Sequence, residues 1–248
     1  MNTSTRNRKG FTLIELLTVI AIIGVLAAVL FPGVQGVMRS AKKNSALNKL
    51  RSIGQGYMNW AQGGRTMVFD GTWTAGGKVA KKVSDYAANL AIGAQLDSAE
   101  LWFVEGDVLL DNNIITLMPK NVVLVQGANT TIAQPFLTAM QQAQASSWTV
   151  YAPTSTSLVG TVAAPLAWTR GLSTAGIWGP ADGTPAGSVW GPEGGHIVYG
   201  DGHVSWAPNT STDGNFFFTD RATGAPTANW TRSQGVPNNQ QEGGLPQQ

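Results

Sequence analysis

The chain has 248 residues, with 16 Lys and Arg against 14 Asp and Glu, and only 12% of it is charged, about half the usual share for a globular protein. It contains no cysteine, which excludes thiol catalysis, Cys-ligated zinc and iron–sulfur chemistry. The length suits one sizeable domain with an appended helix, and its polar surface must come largely from Thr, Ser, Asn and Gln.

Residues 1–10, MNTSTRNRKG, carry Arg6, Arg8 and Lys9 and no acid. Then follow 21 residues, Phe11 to Phe31, of which only Glu15 can be charged. At helical rise this run is about 31 Å long, roughly the hydrocarbon thickness of a bilayer. It is apolar all round, so it reads as a membrane-spanning helix rather than an amphipathic core helix. A secretory signal has a shorter apolar region and a cut on its far side after small residues; no clean A-x-A site precedes Pro32 here. Neither a signal nor a plain anchor explains Glu15, because an intramembrane carboxylate is costly and needs a partner. Cleavage after Gly10 would free an α-amine on Phe11, four residues before Glu15. The amine of one subunit could then neutralise the carboxylate of the next. Loss of the three leader cations would reduce the 16 basic residues to 13 against 14 acids, so the basic isoelectric point is no argument for nucleic-acid binding. The positive-inside rule leaves orientation open, since Arg39, Lys42, Lys43, Lys49 and Arg51 follow the span.

The run R-K-G-F-T-L-I-E-L-L, the apolar helix and then Pro32 resemble the N-terminus of type IV prepilins and type II secretion pseudopilins. The resemblance covers about residues 6–60. It implies cleavage after Gly10 by a prepilin peptidase, N-methylation of Phe11, assembly through Glu15 and a helix kink at Pro32. It also implies a cytoplasmic N-terminus, an exported C-terminal domain, and a location in the bacterial inner membrane until assembly. The implied partners are other copies or pilin-like subunits, membrane lipid, and an inner-membrane assembly platform with a separate ATPase motor. The implied fold is α+β, a long N-terminal helix packed on an antiparallel sheet.

Beyond Pro32 the spacing predicts that the helix continues to about residue 62. Ala46, Leu50, Ile53, Tyr57 and Trp60 form an apolar stripe at steps of four and three. Gly33, Gly36, Gly54 and Gly56 weaken it, and partial melting is expected near 32–36. Residues 63–224 read as the globular domain and 225–248 as a flexible tail poor in apolar residues. Within the domain, Met67–Trp73 is expected as a strand, and Ser84 as the cap of a helix from Asp85 to Gln95 with Tyr86, Leu90 and Ala94 on one face. Asp97 and Ser98 start a turn, and 101–107 reads as extended. Val122–Gln126, Ser147–Tyr151 and Pro165–Thr169 read as strands, and Thr131–Ala145 as a helix with Pro135 in its first turn. Trp178-Gly179-Pro180 and Trp190-Gly191-Pro192 read as turns pinned by aromatic packing, with a sugar platform as the less favoured use.

Asp201-Gly202 is a strong two-residue hairpin signal. That loop would set Gly200 opposite His203, Tyr199 opposite Val204 and Ile197 opposite Trp206, with all four apolar residues on one face. The hairpin also resembles the C-terminal D-G-H-V hairpin of bacterial pseudopilin-like proteins, although His196 lies five residues before Asp201 where that group often has its histidine ten before. In this register His196 and His203 are too far apart to share one zinc ion. Calcium is the candidate ion, through Asp182, Asp201, Asp213 and Asp220 in Gly- and Asn-rich loops, but no spaced ligand loop is present. No nucleotide, phosphate or hydrolase motif and no nucleic-acid patch occurs, so no catalytic, metal or cofactor residue is assigned. The expected function is a structural subunit of a type II secretion pseudopilus. The alternatives are a type IV pilus subunit or a non-polymerising, membrane-anchored glycan-binding protein.

Overall fold

The computed structural model describes residues 12–62, 64–68, 72–113, 118–143, 146–153, 164–209, 215–233 and 235–237. The chain divides into two units, Met1–Lys43 and Asn44–Gln248. The first consists, among the described residues, of Thr12 and helix α1 up to Lys43; α1 as a whole runs Leu13–Ala61. Helical structure is continuous through Pro32, Gly33 and Gly36, so the melting expected there is not seen. A proline removes one hydrogen bond and the glycines each cost up to about 1 kcal/mol, which a 49-residue helix absorbs.

The second unit is built on an antiparallel five-stranded sheet of order β6-β5-β4-β3-β9. Its strands are β3 (Trp148–Pro153), β4 (Pro165–Thr169), β5 (Gly195–Tyr199), β6 (Val204–Ala207) and β9 (Gly235–Pro237). The predicted stripe of α1 lies against one face. Ala46, Leu50, Ile53, Tyr57 and Trp60 are all buried, in one core with Trp148, Val150, Leu166 and Val198. Two of the glycines thought to weaken α1 have a packing role. A Cβ on Gly54 would lie 2.4 Å from Val198 Cγ2, and one on Gly56 would lie 2.8 Å from Leu96 Cδ2. Their missing side chains let the sheet and the residues after α2 (Val83–Ala94) approach the helix backbone.

Helix α2 starts earlier than expected. Lys82, not Ser84, occupies the cap, and its N–H donates to the Asp85 carboxylate at 2.9 Å. Tyr86 and Leu90 are buried and Ala94 is half-buried, but so are residues 83–91 throughout, which makes α2 a core helix on all sides. Tyr86 stacks on Tyr57 at 5.8 Å and meets Trp102 edge-on at 6.0 Å. Only Val68 of the expected 67–73 strand forms a bridge, a parallel one to Val79; residues 69–71 lie outside the described residues. The 101–107 segment is not extended. A 3₁₀ turn, Ala99–Trp102, leads to a turn at Gly106 (φ +85°) and then to the short helix α3 (Val108–Asn113).

The reason is a buried charge pair that sequence spacing does not reveal. Arg170 donates from both terminal nitrogens to Asp107, at 2.8 and 2.9 Å, with the two side chains 2% and 0% exposed. Asp107 also accepts from Ser147 Oγ at 2.7 Å and from the Leu109 N–H at 3.1 Å. Arg170 further donates to the carbonyls of Gly187 and Ser146. This bidentate geometry, with further hydrogen bonds to both partners, is what makes a buried pair tolerable.

Strand β1 (Val123–Gln126) falls within the expected strand, but the next segment splits differently. Thr131 and Ile132 belong to β2 (Asn129–Ile132), and helix α4 begins only at Gln134, running to Ala143. Gln126 pairs with Asn129, so Gly127-Ala128 is a two-residue hairpin loop, with Gly127 at φ +61°.

The back face of the sheet is covered by the tryptophan-rich C-terminal third. Tyr151, Trp168 and Ile197 pack there with Leu172, Trp178, Phe218 and Trp230. Trp168 lies 5.6 Å from Phe218 and 5.9 Å from Trp230. Where a tail from 225 was expected, the chain carries β8 (Pro226–Thr227), paired with β7 (Phe218–Thr219), a 3₁₀ turn and β9. Trp230 anchors it, with its carbonyl accepting from Tyr151 Oη. Residues 238–248 lie outside the described residues.

The hairpin register differs from the expected one by one residue. Val198 pairs with Val204, Ile197 with Ser205 and His196 with Trp206. The Tyr199 N–H donates to the His203 carbonyl at 3.1 Å across a three-residue loop, Gly200-Asp201-Gly202, with Gly202 at φ +84° and its N–H donating to the Tyr199 carbonyl. This is the longer loop ending in a left-handed glycine. Ile197 and Tyr199 therefore face the rear core, while Val198, Val204 and Trp206 join the α1 side. With both faces covered, apolar alternation no longer selects a register.

Candidate assembly site

The first described residues form an N-terminal cap. Thr12 precedes α1, and Glu15 is its third residue, the T-x-x-E spacing of a capping box. The Thr12 N–H donates to Glu15 Oε2 at 2.9 Å and the Thr12 hydroxyl donates to the same oxygen at 2.7 Å. The Glu15 N–H is directed at the Thr12 hydroxyl oxygen at 3.3 Å. Thr18 closes the next turn by donating to the Glu15 carbonyl at 3.0 Å. Thr12 was not singled out from the sequence, although threonine three residues before a glutamate ahead of an apolar run is a readable signal. The arrangement satisfies the carboxylate and places its negative charge at the positive end of the helix dipole. It holds Glu15 about one turn inside the apolar run that begins at Phe11.

From Leu13 to Met38 the apolar side chains are exposed around the whole helix, Leu13 at 79% and Phe31 at 67% among them. Among the described residues α1 is the one helix long and apolar enough to cross a membrane. A surface of this extent is not stable in water, so it must meet lipid or other apolar helices. Pro32 lies inside α1, and the cations Arg39, Lys42 and Lys43 follow it. Gly10 and Phe11, the expected processing positions, lie outside the described residues.

The other candidates do not converge. His196 meets Trp206 edge-on at 4.8 Å, whereas His203 stacks on Tyr199 at 4.5 Å, on the opposite face of the hairpin. His203 Nδ1 is 2.6 Å from Asp201 Oδ1. Burial raises the Asp201 pKa, but hydrogen bonds from His203 outweigh it, and the net result lies below the usual aspartate value. Asp182 serves the turn that follows it, accepting from Thr184, which holds its carboxyl below the ordinary value. Asp220 likewise accepts from the Ala222 and Thr223 N–H groups, with Arg232 2.6 Å away. Asp213 lies outside the described residues. Among the described residues no group of three or more His, Asp or Glu could hold a metal ion. Trp178 and Trp190 are 1% and 4% exposed, so their rings are core surface rather than a platform.

Residues 5–31 match a family model described as the prokaryotic N-terminal methylation motif. The type IV wide pilus major component PilA4 of Thermus thermophilus is 64% identical over 36 residues, 14% of this chain. The match spans 28% of that protein's length. No solved structure matches the chain. The N-terminal segment is type IV prepilin-like, joined to an α+β architecture.

Proposed function

We propose that the chain is a structural subunit of a type IV pilin-like filament, assembled through α1, and that this filament is a type II secretion pseudopilus. One observation carries the assembly reading: an apolar helix exposed on all sides, opening on a capped carboxylate, within the residues that match the methylation motif. A prepilin peptidase cuts after Gly10 and the new Phe11 amine is methylated. The subunit then waits in the inner membrane, N-terminus toward the cytoplasm, with residues 44–248 outside. On assembly the apolar run leaves lipid for a bundle of like helices, so its burial is conserved. Glu15 exchanges its hydrogen bonds with Thr12 for the amine of a neighbouring Phe11, a charge pair in a low-dielectric bundle. Energy for extraction comes from a separate motor acting through an assembly platform.

The D-G-H-V hairpin at 201–204 supports the pseudopilus over the pilus. The type IV pilus reading draws on PilA4, whose match is confined to a short segment. The glycan-binding alternative loses Trp178 and Trp190, which are buried.

The test has two parts. Intact-mass and N-terminal analysis of the protein from native membranes is expected to show a chain beginning at N-methylated Phe11. Glu15→Ala is expected to abolish filaments while leaving the protein in the membrane. A chain still beginning at Met1, or filaments unaffected by Glu15→Ala, overturns the reading.

A further inference from the structure

The exposed apolar surface of α1 ends abruptly. Val34, Val37 and Met38 are 52%, 70% and 56% exposed, and Arg39, Lys42 and Lys43 follow directly. Spaced i, i+3 and i+4 on a continuous helix, the three cations share one face rather than ringing it. Arg39 is exposed, and Lys42 and Lys43 are half-buried. Glu15 is the one acid of α1, 24 residues before Arg39, or about 36 Å at helical rise. From Leu13 to Met38 the helix measures about 39 Å, more than the ~30 Å of hydrocarbon in a bilayer and close to the ~40–45 Å that includes its headgroup layers.

We infer that Arg39, Lys42 and Lys43 grip the phosphates of anionic phospholipids at the outer face of the membrane while the subunit waits there. The inference rests on the assembly reading above and deepens it, since it concerns the subunit before extraction. Helix length places the cations. An upright helix with Leu13 at one hydrocarbon boundary reaches the edge of the opposite headgroup layer at Met38. An apolar run longer than the hydrocarbon is accommodated by tilt, which draws the following turn down among the headgroups. The one-sided arrangement suits a tilted helix, because only its lower face meets the membrane surface at the exit. Lysine and arginine extend their charged heads to phosphate while their stems stay on apolar surface, and the Arg39 guanidinium matches phosphate oxygens in pairs. Cleavage after Gly10 removes Arg6, Arg8 and Lys9, so in the processed subunit this turn is the cationic end of the span. Three cations on one face hold both the depth of the helix and its rotation about its own axis. Extraction into a filament must break these contacts, so anionic lipid tunes the release of the subunit.

The test uses the full chain purified from native membranes and reconstituted at low protein density into phosphatidylcholine vesicles with trace spin-labelled lipids. Spin-labelled phosphatidylglycerol is expected at the protein in about fivefold preference to spin-labelled phosphatidylcholine, the factor for one cation at an anionic surface. High salt should weaken that preference. Arg39→Gln/Lys42→Gln/Lys43→Gln should bring it close to parity, whereas Arg39→Lys/Lys42→Arg/Lys43→Arg, which keeps the charge, should retain it. A wild-type chain without preference, or a preference that survives the triple glutamine variant, overturns the inference and leaves the assembly reading standing. A preference that appears only at high protein density assigns the cations to another copy of the chain and likewise overturns it. A wild-type chain that never enters filaments in the native host, with its lipid preference intact and lost in the glutamine variant, supports the lipid contact and overturns the assembly reading alone.

Discussion

Removing the Asp107 carboxylate should cost more than any surface change. In Asp107→Ala, Arg170 keeps its bonds to the Gly187 and Ser146 carbonyls but loses both charge-assisted ones. Ser147 Oγ and the Leu109 N–H lose an acceptor at the same time. Breaking a buried pair on one side typically costs about 3–5 kcal/mol, because a charge is left without its counterion. Domains of this kind have only about 5–15 kcal/mol in total, so the loss is a large fraction. Asp107→Asn keeps the shape, yet turns an amide donor toward groups that are themselves donors, so it should recover little. The paired variant Asp107→Leu/Arg170→Met removes the stranded charge. It should be milder than Asp107→Ala, though not neutral, since the Ser146 and Gly187 carbonyls, Ser147 and Leu109 still lose partners. Urea unfolding of the detergent-solubilised chain, followed by tryptophan fluorescence, measures all of these. A loss below about 1 kcal/mol for Asp107→Ala, the level of an exposed pair, would refute the reasoning.

Gly54→Ala should destabilise by about 1–3 kcal/mol through overpacking, since the new methyl meets Val198 Cγ2 at 2.4 Å. Val198→Ala should suppress part of that loss in the double variant; simple additivity of the two would show that the contact is not the cause. All four tyrosines have raised pKa values, chiefly through burial, with Tyr151 pushed up to about 12 and Tyr86 well above its ordinary value. Their contribution is complete below the ordinary value of 10.0 and is lost as pH rises through their folded values, so the domain should unfold in alkali. Tyrosinate absorbance should lag behind free tyrosine and then rise together with unfolding; four tyrosines titrating near pH 10 in an intact fold would contradict this. At the acid end, Asp182 and Asp220 lie below 3.8, held down mainly by turn hydrogen bonds. Their contribution is present above that value and is lost as pH falls through their folded values, so circular dichroism should change little until then.

What the sequence determined by itself is local or periodic. The apolar run, Glu15 and the stripe Ala46–Leu50–Ile53–Tyr57–Trp60 are readable because helix periodicity is set by the backbone, and all five stripe residues are buried. Strand β4 matches its expected bounds because a short apolar run starting at a proline has few other uses. The Thr12–Glu15 cap was equally local, and only its spacing was overlooked. Tertiary structure decided the rest. Asp107 and Arg170 are 63 residues apart, and no pattern pairs them before the chain has folded. The register of the Asp201-Gly202 hairpin could not be read from alternation, because the tryptophan-rich third covers the face of the sheet that a two-layer fold leaves in water. For the same reason Trp230 draws residues beyond 225 into the sheet, although their composition reads as a tail. Burial on both faces makes every position along a strand apolar or small, and then only the packing partners distinguish one register from the next.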